Sequence, residues 1–440
     1  MLNSIIRSLQ TRTDLKEWSV RHILTRGVQL YAVPAAVEAK RAIDGERYSI
    51  TVLQHHAAQD GSITCGSGNV TLLPGDDIER AIDAATLIAG LVQNPLYTFP
   101  AAADLPEVPL ADTSYQANPS ATLDELYARL KQAVAQHPQV RMTAAEIAGE
   151  ETTTHLLNSR GIDATQVGTQ IDIEWVLIGR SGEQEVESFV ELTRRRAADI
   201  DVEDEVNCRA RHTIDLLTAT PPPTYEGPVV LRAATLAGFV NSGDFIQGGP
   251  FQTLASGSAK YARITTWEIG QSIFRGEVKG DPLTLWANRQ LPYGTHANCF
   301  DEEGLPAMRV EVIKDNLLRQ FTASQRYADY LALPPTGAFG NIEVAAGCTP
   351  AATLLAEPHL EIVSFSWFNP NPITGDFASE IRLGYRVDGE RRTPFRGGML
   401  VGNVFDALAN VRWSSETGFY GDYLGPTTAR FGQLKVAGTQ

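Results

Sequence analysis

Three consecutive prolines, Pro221-Pro222-Pro223, constrain the fold of this chain most. Each fixes its own φ and lacks a backbone N–H, so neither a helix nor a central strand can run through them. Such a run adopts a stiff extended conformation that separates two units without making the joint floppy. A chain of 440 residues also exceeds what one hydrophobic core normally serves. We therefore read two units, residues 1–222 and residues 223–440. The punctuation differs on the two sides: long periodic segments precede the prolines, and short β-rich runs broken by glycine and proline follow Gly227. The expected class is α+β, an N-terminal α/β domain with helices on a sheet followed by a mostly antiparallel β-rich C-terminal domain.

In the first unit, Tyr48 to Leu53 reads as a strand, and Gly66-Ser67-Gly68 as a turn leading to Val70-Thr71-Leu72. Asp76 with Glu79 has the spacing of a capping box, followed by Ile78, Ile82, Ala85 and Ile88 at helical intervals. Thr122 with Glu125 repeats that signal ahead of Leu123, Leu126, Leu130 and Val134. The five prolines between Pro95 and Pro119 read as an irregular crossing. Ile171, Ile173, Trp175 and Leu177 alternate with polar residues, as in a half-buried strand that turns at Gly179-Arg180-Ser181-Gly182. In the second unit Met308–Ile313 and Leu317–Phe321 form a hairpin pattern. Glu361–Phe368, Ile381–Val387 and Gly397–Val404 read as further strands.

A net charge of −15 argues against a nucleic-acid partner, since phosphate binding needs a dense basic surface. The one basic run, Arg194-Arg195-Arg196, is followed by acidic residues and reads as a solvated, self-neutralised segment. No uncharged apolar run is long enough to span a bilayer, and the N-terminus lacks the apolar core of a signal peptide. No membrane contact and a cytoplasmic location are the expectation. Cys65, Cys208, Cys299 and Cys348 form no CxxC pair and read as reduced packing residues. His55 and His56 are adjacent on a strand, point to opposite faces and cannot readily chelate one ion.

Several separated blocks then occur in a fixed order: Asn158-Ser159-Arg160-Gly161, Tyr225 to Val230, Phe300-Asp301-Glu302-Glu303-Gly304, Thr336-Gly337, Thr374-Gly375-Asp376-Phe377 and Gly402-Asn403-Val404-Phe405. As an ordered set they resemble the TldD/PmbA family, convincingly over residues 150–440. Catalytic members of that family carry a His-Glu-x-x-x-His zinc motif and a cysteine ligand near the C-terminus. By alignment from Val229 the first histidine and the glutamate fall at Asn241 and Ser242, and the second histidine at Ile246. An isoleucine offers no lone pair, an amide is a poor zinc ligand, and a serine is no general base near neutral pH. The stretch corresponding to the cysteine ligand reads GFYGDYLGP, and no cysteine follows Cys348.

The resemblance therefore implies the PmbA branch, also called TldE, which lacks the zinc motif. It implies no catalytic residue and no metal in this chain, with zinc in a TldD-like partner of a heterodimer acting on short or unfolded peptides. The alternatives are a stand-alone peptide-binding homodimer without hydrolytic activity, and an accessory protein in a peptide-modification or natural-product pathway. Asp301, Glu302, Glu303 and Gly304 read as a capped turn or as a carboxylate site. Asn158, Ser159, Arg160 and Gly161 read as a turn whose arginine can reach a peptide or a partner.

Overall fold

The computed structural model describes residues 1–34, 36–57, 61–242 and 248–438. The first unit is one antiparallel sheet of β1 (Glu17–Val33), β2 (Ala36–Ala57), β3 (Ile63–Leu72), β4 (Asn94–Pro95), β5 (Val140–Asn158), β6 (Asp163–Ser181) and β7 (Gln184–Arg194). Among the described residues its order is β4-β3-β2-β1-β5-β6-β7. Helices α1 (Leu2–Thr11), α2 (Ile78–Leu91), α3 (Thr113–Ala117), α4 (Pro119–Ala135) and α5 (Val202–Thr218) accompany it. Register explains the layering. Leu30, Ile147 and Ile173 lie opposite one another across β1, β5 and β6, and bury against Leu123, Leu126 and Leu130 of α4. The same face of β1 and β2 carries Val20 and Ile50, which pack on Ile82, Ala85 and Ala89 of α2.

Several local expectations change. Gly66-Ser67-Gly68, read as a turn, lies inside β3 and pairs with Val52 to Gln54 of β2. The cap of α2 is Asp77, which accepts from the Arg80 N–H at 3.1 Å, while Asp76 turns back to the Leu73 N–H and Glu79 bonds Ser8 of α1. The cap of α4 is Asn118 rather than Thr122, because Pro119 at the first helical position starts the helix four residues earlier. Ile88 is exposed and Ala89 is buried in its place. The reason is Gly66 and Gly68 on β3: they let the α2 backbone approach so closely that only alanines fit beneath it. The proline-rich crossing also contains α3, capped by Asp112.

Between α5 and the next strand lie Pro221–Pro223. The second unit runs β8 (Tyr225–Arg232), α6 (Ala233–Asn241), α7 (Pro250–Leu254), α8 (Gly257–Tyr261), β9 (Leu285–Asn288), β10 (Arg309–Lys314), β11 (Leu317–Leu318), α9 (Gln325–Leu331), β12 (Asn341–Val344), α10 (Ala351–Leu355), β13 (His359–Phe365), β14 (Asp376–Asp388), β15 (Arg391–Phe395), β16 (Met399–Asn403), α11 (Val404–Leu408), β17 (Val411–Trp413), β18 (Thr417–Phe419), β19 (Tyr423–Pro426) and β20 (Thr428–Ala437). These form two sheets, β11-β10-β9-β12-β19-β18 and β13-β8-β20-β16-β14-β15 with β17 on β20. Pairing is antiparallel except for β8 with β13 and β12 with β19. The β10–β11 hairpin closes through Asp315 and Asn316 at positive φ, the backbone a two-residue turn of this hand needs. One apolar core takes residues from both sheets and from α6. The fold is thus α+β, as the patterning indicates. Among the described residues no helix is long and apolar enough to cross a membrane.

Candidate functional site

The blocks that carry the resemblance fold into joints. Asn158 accepts from the Arg160 and Ile162 N–H groups at 2.9 and 3.0 Å and donates to the Pro100 carbonyl, while Gly161 supplies a φ of 93°. Ser159 accepts from the Trp18 N–H, and Arg160 reaches Glu17 at 3.4 Å, so the arginine is held within its own domain. Asp301 accepts from the Glu303, Gly304 and Leu305 N–H groups, the capped-turn geometry. Gly304 sits at a φ of 99° with Ile162 and Leu156 where a Cβ would stand, which presses this turn onto β5. Glu302 is exposed and pairs with Arg21 at 2.6 Å across the two units. Likewise Asn403 ties Thr374 and Asp376 together at 2.7 and 2.8 Å.

Behind the Asp301 turn lies Arg289, 1% exposed. Its guanidinium donates to Asn298 Oδ1 and to the carbonyls of Leu305, Pro306 and Thr336. Gly337 and Gly340 leave the room this side chain occupies. Glu303 accepts from the Gln325 N–H at 2.6 Å at the start of α9. Burial, reinforced by Asp301, pushes its carboxyl up to about 7. A group raised in this way is protonated in the fold while the unfolded chain has already ionised. Stability is therefore lost as pH rises from about 4.5 to about 7, by up to about 3 kcal/mol. Glu303→Gln should flatten that part of the curve in denaturant titrations at pH 5 and pH 8, whereas an unchanged difference between the two pH values would show that Glu303 does not carry it.

Two adjoining cavities of about 650 and 430 Å³ open beside α6, the larger lined by the second unit and the smaller lying where the edge of the first sheet meets that unit. They share Asn241, Thr295, Trp367 and Asp422. α6 places Asn241 there because Leu236, Phe239 and Val240 are buried. The Phe239 ring is packed by Phe368, Phe377 and Phe431 at 5.0 to 5.7 Å. Asn241 donates to Asp422, within the GFYGDYLGP stretch, and accepts from Gln252. The position matched to the first histidine thus meets a residue of the stretch that corresponds to the cysteine ligand, as an amide and a carboxylate already bonded to each other. Ser242 caps α6 and is 5% exposed; Ile246 lies outside the described residues. His296 Nε2 stands 3.9 Å from Asp422, and burial pushes the Asp422 carboxyl upward. A catalytic zinc takes three protein ligands and an open position. Asn241 has both its polar atoms committed, and among the described residues no group of three His, Cys, Asp or Glu is assembled. This donor set does not fit such a metal.

The sequence reading missed the other wall. Arg194 lines the smaller cavity with Glu191 of β7, the edge of the first sheet that is unpaired among the described residues, and burial lowers its pKa. Arg195 donates to the carbonyls of Gly294, Thr295 and Ala297, and burial pushes it down to about 10. Among the described residues only Arg196 of the run pairs with a carboxylate, that of Asp199, as a self-neutralised run would. The acids that follow are drawn into α5, so sequence proximity misleads about which cation they neutralise. Trp367, 60% exposed at the cleft, had no signal in the sequence.

Residues 228–438 match the PmbA/TldA metallopeptidase C-terminal domain. The chain is 22% identical over 291 residues to an uncharacterized protein of Methanocaldococcus jannaschii, covering 63% of this chain and 66% of that relative, just under two thirds. It is 22% identical over 323 residues to a zinc metalloprotease TldD homolog of Saccharolobus solfataricus, covering 68% of this chain and 69% of the other. It is 25% identical over 368 residues to metalloprotease PmbA of Escherichia coli O157:H7, covering 79% and 77%. The fold is similar to that of TldE from Thermococcus kodakarensis, with a TM-score of 0.80 at 17% identity over 99% of this chain and 100% of that one. A proposed modulator of DNA gyrase from Thermotoga maritima gives 0.82 at 16% identity over the same shares.

Proposed function

Because this chain belongs to the TldD/PmbA family, we propose that it is a non-catalytic, TldE-like subunit of a heterodimeric peptidase. A TldD-like partner supplies zinc, activated water and the general base. This chain supplies one wall of the chamber in which a short or unfolded peptide is held, in a cytoplasmic complex. The observation that carries the reading is the Asn241–Asp422 pair: the centre of the cleft is built from groups that hydrogen-bond each other instead of presenting three metal donors. The open edge of β7 supports the peptide part. Glu191 to Arg194 border the cleft with no strand on their outer side among the described residues. An extended peptide adding to such an edge is held by its backbone, which favours unfolded substrates over particular side chains.

The test compares the isolated chain, a TldD-like partner and the two together. We expect no stoichiometric zinc in the isolated chain, no cleavage of a disordered peptide by it, and a mixed dimer by light scattering. Stoichiometric zinc with cleavage by the isolated chain, or a chain that stays monomeric beside its partner, would sink the reading.

A further inference from the structure

A third cavity, of about 460 Å³, opens between α5 and the β8, β13 and β14 strands. In a chain with a net charge of −15, four guanidinium groups line it against three carboxylates. The pairing leaves the cations in excess. Arg232 and Arg392 share the single carboxylate of Glu361, at 3.5 and 3.1 Å. Asp215 is taken by the Tyr385 hydroxyl, and Glu205 by Arg209. Arg211 pairs with no carboxylate among the described residues; its Nε donates to the Asn207 carbonyl. The start of α6 also lines the cavity, at Ala233 to Thr235, with no side-chain cap on its first N–H groups. That end of a helix carries partial positive charge. The field is felt by His212 within the cavity, held neutral with its pKa down to about 3 by burial and then by Arg209, Arg392 and Arg211.

An ion-pair network that merely joined α5 to the sheet would need its charges matched. Here one carboxylate serves two guanidiniums that are each nearly half exposed, with side-chain exposures of 47% and 44%. Guanidinium forks of this kind suit the paired oxygens of a carboxylate or phosphate. We propose that this cavity is an oxyanion-binding site, taking a phosphate or carboxylate group between Arg211, Arg232 and Arg392.

The test titrates inorganic phosphate into the full chain at constant ionic strength, following the histidine ring signals by NMR. A saturable shift of His212 is expected. Arg392→Gln and Arg211→Gln should each weaken phosphate binding by about tenfold, the loss of one charge-assisted contact. Arg26→Gln, on the exposed β1–β2 hairpin, should leave it unchanged. Arg211 is exposed, so its variant tests the site even if Arg392→Gln disturbs β15. Competition by a peptide acid but not by its amide would identify a chain end as the source of the oxyanion; competition by neither would identify a small ion. A His212 signal that does not move, or equal affinity in all three variants, overturns the proposal.

Discussion

Arg289→Met should lower the stability of the second unit by about 3–5 kcal/mol, the range for removing one partner from a buried charged network. The side chain is 1% exposed and serves one amide oxygen and three carbonyls on three separate segments. Without it those acceptors lose their donor, and the Asp301 carboxyl loses the cation that offsets its burial. Arg289→Lys should lose part of this, because an ammonium cannot span the same set of acceptors. Denaturant unfolding followed by tryptophan fluorescence reads the effect, since Trp267, Trp286, Trp367 and Trp413 all lie in the second unit. Because Arg289 also lines the larger cavity, its loss should loosen the cleft wall at Asn298. A midpoint equal to that of the parent would show that the buried network is not what holds these segments.

The second large effect is expected in the first unit. At Gly68 an added Cβ would stand 1.8 Å from the Ala85 carbonyl oxygen, and at Gly66 equally close to that of Ala89. The obstructing atoms are helix backbone, which cannot rotate away. Gly68→Ala should push α2 off β3 and cost about 3 kcal/mol, at the upper end of overpacking. The double change at Gly66 and Gly68 should detach the α1–α2 layer, seen as rapid hydrogen exchange over residues 78–91. Gly90→Ala is the control: it lies in the same helix, is exposed, and meets only the Gln54 side chain at 3.4 Å. There the better helix propensity of alanine should leave stability equal or raised by up to about 1 kcal/mol. If Gly68→Ala and Gly90→Ala behaved alike, close helix–sheet contact would not be the reason for the glycines.

Periodicity sufficed where a face is buried along its whole length. Ile171, Ile173, Trp175 and Leu177 are all buried on one side of β6, and Leu123, Leu126, Leu130 and Val134 on one side of α4. It failed at Ile88, because the choice between Ile88 and Ala89 depends on how close β3 lets the helix come. That distance is set by glycines some twenty residues away. The capping signals were displaced by one and four residues because several Asp, Asn and Thr side chains near each helix start could take the role.

By itself the sequence determined the α+β class, which depends only on residue type and spacing, and, read against the family resemblance, the absence of histidine, glutamate and cysteine at the positions matched to the zinc motif. Only the tertiary structure decided that Asn241 and Asp422, 181 residues apart, bond across one cleft, and that Arg194 and Arg195 are half-buried, Arg195 against backbone carbonyls, rather than solvated. Partners in the sequence neighbourhood are fixed by chain connectivity. Which charge meets which across the cleft depends on how two sheets and α6 pack, and that is settled only when the whole chain has folded.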